Sequence, residues 1–206
     1  MNYQPNERIT PQRAHRLAHV ETTRAALASA IDVVALTAHE RADLLLMREE
    51  EKIARDVYLQ LHDRWGLRPF GNISGSEQAH MDMILLLLER HGLSDPAEGL
   101  PIGRFNDPVL QNMHDDLLSR GLQSQAEAVR VGLLIEELDI FDLQVAASRT
   151  KKLEILAVYA DLERGSRNHL RAFYRWLHRL STHYIPVHLT AEGFAAIANG
   201  PHESCH

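Results

Sequence analysis

Four short stretches of this chain carry carboxylates and imidazoles at spacings that could hold a metal ion. In "SGSEQAHMD", residues 74–82, Glu77 and His80 stand three apart, so a helix would turn both onto one face. "MREEEKIARDVY" offers Glu50 and Glu51, "GLLIEELDIFDL" offers Glu136, Glu137 and Asp139, and "RGSRNHLRAF" offers His169. Carboxylate and imidazole together suit iron or manganese better than structural zinc. Each stretch also has an everyday reading. Ser74 and Glu77 have the spacing of a capping box, "REEEK" is a common solvated helix surface, Glu136 and Glu137 could pair with arginines, and His169 alone reads as a core histidine.

Whether these residues can meet depends on the elements that carry them, and those read as helices. Residues 10–34 form a helix with a weak apolar face. Thr37 and Glu40 make a capping box opening a long helix to about Trp65, which "GLRPFGN" stops. A second long helix is expected from Ser74 to "RHG", with Gly92 closing it. Asp107 and Pro108 start a shorter helix to about Arg120. Ser124 with Glu127 opens a third long helix to about Ala147, and Thr150 caps a fourth to about Leu180. A short helix follows "YIPVHLTAEGF", and no stretch alternates as a strand would. Short links make the first and second long helices antiparallel neighbours, and likewise the third and fourth. The link between the second and third holds a helix of roughly 20 Å, long enough to cross a bundle and let those two run the same way.

The apolar stripe of each long helix is interrupted near its middle: by Glu51 on the first, Glu77 and His80 on the second, Glu136 with Asp139 beside it on the third, and Ser166 and His169 on the fourth. A buried carboxylate without a partner costs several kcal/mol. Three or four converging in one core would be untenable unless cations neutralised them, and two divalent ions would do so.

The four quoted motifs, with "FGNISGSEQAHMD" as the full second, resemble the ferritin-like di-iron carboxylate proteins, close in pattern to rubrerythrins and erythrins. They also resemble a bacterial and archaeal ferritin-like branch of unknown function. The resemblance covers residues 37–198. With the helix pattern it implies an all-α fold, a ferritin-like four-helix bundle (37–198) with one long crossover containing a short helix; outside it the residues read as an N-terminal helical arm (1–36) and a flexible tail (199–206). The resemblance implies metal ligation by Glu51, Glu77, His80, Glu136, Asp139 and His169, with Glu51 preferred to Glu50 because Ala54 and Tyr58 follow it at rubrerythrin-like spacing. The implied cofactor is two iron ions, with manganese or a mixed pair as variants. The implied activity couples Fe(II) oxidation to reduction of O2 or peroxide, with Tyr58 as a candidate catalytic side chain. Ser166 departs from the pattern, because it stands where the fourth helix should supply a second Glu and cannot bring that charge.

Composition narrows the classes. The chain has 206 residues, 45% hydrophobic and 24% charged, with net charge −6, which argues against nucleic acid as partner. One cysteine, Cys205, excludes an internal disulfide framework and any rubredoxin-type cysteine set, so an electron donor would be a separate protein. "MILLLLE" is too short to span a bilayer and the N-terminus lacks an apolar signal core, so the expected location is the cytoplasm, without membrane contact. The "LLLL" run could serve an interface as well as a core, and the expected assembly is a homo-oligomer such as a dimer. The arginine stripe Arg164, Arg167, Arg171, Arg175 is read as pairing with acids of the third long helix or supporting metal-bound carboxylates. The tail residues His202, Cys205 and His206 lack the fixed geometry of a site. The contrasting reading is a non-catalytic helical bundle whose metal is structural or absent.

Overall fold

The structure, a computed structural model, describes residues 10–29 and 33–204. The described residues form seven helices and no strand: α1 (Pro11–Ser29), α2 (Ala38–Trp65), α3 (Arg68–Arg90), α4 (Pro108–Gly121), α5 (Gln125–Ser148), α6 (Leu153–Arg179) and α7 (Ala191–Ala198). No helix among them is long and apolar enough to cross a membrane.

Local signals set most boundaries. Thr37 accepts from the Glu40 amide while the Glu40 side chain accepts from the Thr37 amide, a complete capping box. Gly66 ends α2 at φ 64, a left-handed conformation that glycine adopts without Cβ strain. Asp107 caps α4 with Pro108 beside it, Ser124 caps α5 and Thr190 caps α7. At Ser124 only half the box forms, because the Glu127 carboxylate is drawn to Arg120 and Arg130 instead.

Two starts differ from the sequence expectation. The second long helix begins at Arg68, and Ser74 lies inside it, donating to the Gly71 carbonyl rather than capping anything. Pro69, expected to help stop the preceding helix, sits in the first turn of the next one, where its fixed φ and missing N–H cost nothing. The fourth long helix begins at Leu153 rather than after a Thr150 cap. Thr150 accepts from the Lys152 amide and donates to Glu40 across the fold.

Residue pairings give the directions. Glu51 meets His80 and Arg55 meets Gln78, so α2 and α3 are antiparallel. Gln144 meets Glu163 while Gly132 lies against Phe173, so α5 and α6 are antiparallel. Tyr58 reaches Gly132 and Arg149 reaches Asp43, which sets α2 against α5; His169 reaches Glu77, which sets α6 against α3. It follows that α3 and α5 run the same way. The link between them is tied to α2 by Asp56, fully buried, which accepts from Lys52, Arg55 and the Gly103 amide. Lys52 also donates to the Pro101 carbonyl and lies over the Phe105 ring, 4.4 Å from its centre.

The core is divided. One apolar cluster gathers Ile53, Tyr58, Phe70, Leu133 and Phe173 with their neighbours, and the other Leu44, Met47, Met83, Leu87 and Leu162. On α2, α3 and α6 the boundary falls at Glu51, Glu77 with His80, and Ser166 with His169, so a polar layer separates the two. Helix α1 packs on α3 and adds Val20 and Leu27 to the second cluster. Leu86, Leu87 and Leu88 are buried within this chain, so the leucine run is not an exposed surplus.

Candidate metal centre

Glu51 from α2, Glu77 and His80 from α3, Glu136 and Asp139 from α5, and His169 from α6 all lie in the layer between the two apolar clusters, each less than a tenth exposed. Two overlapping groups could each hold an ion: Glu51, Glu77 and His80, and Glu77, Glu136 and His169. Glu77 belongs to both. Its Oε2 lies 2.9 Å from His80 Nδ1 and its Oε1 lies 2.9 Å from His169 Nδ1. Neither oxygen has an aligned hydrogen bond, and the same holds for His169 Nδ1, Glu136 Oε2 and Asp139 Oδ2. His80 Nδ1 also sits 3.1 Å from Glu51 Oε2, and His169 Nδ1 sits 3.4 Å from Glu136 Oε2. The two imidazoles stack with centres 5.6 Å apart.

These donors crowd one another without pairing well, and buried polar atoms rarely remain so. The electrostatics carry the same strain. Burial pushes the Glu51 and Glu136 carboxyls up to about 7, against the pull of His80 and His169 respectively. Burial, followed by Glu51 and Glu136, drives Asp139 well above the usual carboxylate range. Burial would also raise Glu77, but the two imidazoles outweigh it and hold that carboxyl below its ordinary value. Burial opposes charge on His169, yet Glu77 and Glu136 lift it to about 10. Four carboxylates face two imidazoles in a buried layer, a set that two divalent cations would neutralise.

Neighbouring residues aim this set. Tyr58 donates to Glu136 Oε1 at 2.7 Å, turning the other oxygen toward His169, and it packs between Phe70 and Phe173. Ser166 is buried but donates to the Leu162 carbonyl of its own helix. Gly165 has a closer role: a Cβ there would stand 2.5 Å from His80 Nε2, so the absent side chain is what admits the ring. Sequence reasoning missed Gly165, although a glycine inside a helix costs about 1 kcal/mol relative to alanine and signals a close approach.

The paired glutamates separate cleanly. Glu50 is buried beside Asp142, which with burial raises its pKa, and it lies outside both groups. Glu137 is fully buried on the other side of α5, where it accepts from the Tyr184 hydroxyl and the amides of Val187, His188 and Leu189. The arginine stripe pairs differently from the expectation. Arg164 meets Asp161, Arg167 meets Glu163 and Glu203, and Arg171 meets Glu203, so the acids come from α6 and the C-terminal segment rather than α5. His202 lines a cleft above the centre, while Cys205 and His206 lie outside the described residues.

The family described as "Uncharacterized protein domain (DUF2202)" matches residues 40–201. The chain is 40% identical over 168 residues to "Uncharacterized protein MJ0754" of Methanocaldococcus jannaschii, covering 82% of this chain and 91% of that protein. The crystal structure of hypothetical protein MJ0754 from Methanococcus jannaschii DSM 2661 is similar, with TM-score 0.82 and 39% identity over 85% of this chain and 100% of the other.

Proposed function

The chain belongs to the DUF2202 family, and from that premise we propose that its buried layer is a dinuclear iron or manganese centre in a ferritin-like four-helix bundle. The observation that carries this reading is Glu77, whose two oxygens each lie 2.9 Å from a different histidine while neither is hydrogen-bonded. A carboxylate with a stable ion-pairing role would be aligned with its donors; one whose oxygens diverge toward two imidazoles could serve both groups as a shared ligand.

Glu51 and His80 would hold one ion, Glu136 and His169 the other, with Glu77 shared and Asp139 supplying the fourth negative charge. Two reduced ions of this kind would supply the electrons that reduce O2 or peroxide, with Fe(II) oxidised in exchange. Tyr58 acts by holding Glu136, since its hydroxyl donates to Oε1 at 2.7 Å, with the Gly132 carbonyl farther off at 3.3 Å. The apolar clusters close the layer on two sides, while His80 and His169 also line a cleft. Ser166 contributes no charge, so the centre depends on Asp139 for balance. Sustained turnover would need an electron donor on another protein. A cytoplasmic homo-oligomer remains part of this reading.

Elemental analysis after anaerobic Fe(II) reconstitution tests it. About two irons per chain are expected, falling in His80→Ala and Glu136→Ala. Absence of stoichiometric metal, or content indifferent to both substitutions, would remove the site and leave a helical bundle without one.

A further inference from the structure

Above the two histidines lies a cleft of about 810 Å3 between α1, α3, α6 and the C-terminal segment, with His80 and His169 among its lining residues. That volume is in the range of small-molecule sites, far more than O2 or peroxide requires. Its walls are basic in a particular way. Asp161 and Glu203, the acidic residues in the lining, are already engaged, by Arg164 and by Arg167 with Arg171. Arg16 and Arg175 also line the cleft and have no acidic partner among the described residues.

Arg16 is the more telling of the two. It reaches from α1 to lie against Gly75 of α3, where a Cβ would come within 2.6 Å of Nη2. It is half-buried, and burial, with Arg13 nearby, depresses its pKa. A guanidinium drawn partly out of water without an acid is costly unless a ligand supplies the charge. The cleft wall already shows the geometry such a ligand would use. The Glu203 carboxylate is gripped through both oxygens by Arg167, at 2.9 and 2.6 Å, and again by Arg171 at 2.6 Å.

We infer that this cleft binds a small oxyanion, a carboxylate or a phosphate ester, held by Arg16 and Arg175 over the edges of His80 and His169. That the oxyanion lies beside reacting ions rests on the proposed centre; its binding does not.

The test is isothermal titration of the metal-free full-length chain with inorganic phosphate and, separately, with succinate. At least one probe is expected to bind at a single site, about tenfold more weakly in Arg16→Gln and in Arg175→Gln, and with unchanged affinity in Arg64→Gln, which carries its charge over Trp65 instead. Tighter phosphate than succinate would assign a phosphoryl ligand, and the reverse order a carboxylate. Arg175 is exposed, so its variant reports on the site even if Arg16→Gln fails to fold. Failure of both probes to bind at about 10 mM, or binding that ignores both arginines, would overturn the inference. Because no metal is used, neither result depends on the outcome of the iron analysis.

Discussion

Glu136 and Glu137 are adjacent, both fully buried, and treated in opposite ways. Glu137 faces the segment leading to α7, where a phenol and three backbone amides converge on it at 2.6–2.8 Å. Glu40 is similarly served: burial would raise its pKa, but Lys152, Thr150 and Thr37 bring it down to about 2. Glu136 faces the layer shared with Glu51, Glu77 and Asp139, where carboxylates outnumber donors. The fold therefore can satisfy a buried carboxylate fully, and in the central layer it does not. Single unpartnered side-chain atoms occur elsewhere, at Asp43 and Glu50, but in the central layer Glu77, Glu136, Asp139 and His169 all carry at least one, and that concentration is what marks a site for a ligand rather than a network built for stability.

The largest effect expected on this contrast comes from Glu137→Ala. It strips the acceptor from four donors, and chemical denaturation of the metal-free protein should show a loss of about 3 kcal/mol. Glu136→Gln should cost the metal-free protein little or nothing while removing iron binding. Equal losses in the two variants would break the comparison.

A pH series on the metal-free protein probes the same contrast from the central side. Glu51 and Glu136 rise from 4.5 to about 7 on folding, so the folded chain keeps protons that the unfolded chain has released. Stability should fall between those values as pH increases. His169 rises from 6.5 to about 10, so its contribution is complete below 6.5 and lost as pH climbs through 10. Glu77, depressed, adds stability that disappears only in acid. A decline from pH 5 to pH 9 is expected by thermal or urea melting, reversed when Fe(II) is bound, since the metal needs the deprotonated groups. A flat profile would mean that the layer is satisfied after all.

Gly165→Ala sharpens the comparison at a single ring. The new Cβ must displace His80, lowering Fe(II) affinity about tenfold and stability by about 1–2 kcal/mol, measurable by competition with a chelator and by denaturation. Unchanged affinity would show that the His80 position is not set by this contact. The smallest effect belongs to Tyr58→Phe, which removes one hydrogen bond to Glu136. About 1 kcal/mol of stability should be lost with iron content nearly intact. Loss of iron as well would assign Tyr58 more than an orienting role.

Helix content, most helix starts and the polar interruptions were legible because they depend on neighbours three or four residues away. Thr37 with Glu40, Asp107 with Pro108 and Ser124 all act within one helical turn. Ser74 was misread because its local spacing fits a cap equally well, and the competing start at Pro69 lay in a stretch that also reads as a stop. Gly165 was visible only as an anomaly, since its purpose is the ring of a residue eighty-five positions earlier.

The sequence by itself determined that the chain is helical and that each long helix carries polar groups on its apolar stripe, since both follow from short-range periodicity. Only the tertiary structure decided between neighbours of the same type. Glu51 enters the layer and Glu50 turns to Asp142; Glu136 meets His169 and Glu137 meets a loop fifty residues away. Consecutive helical residues point about 100° apart, so one position decides which partner a carboxylate meets, and that partner comes from another helix or loop.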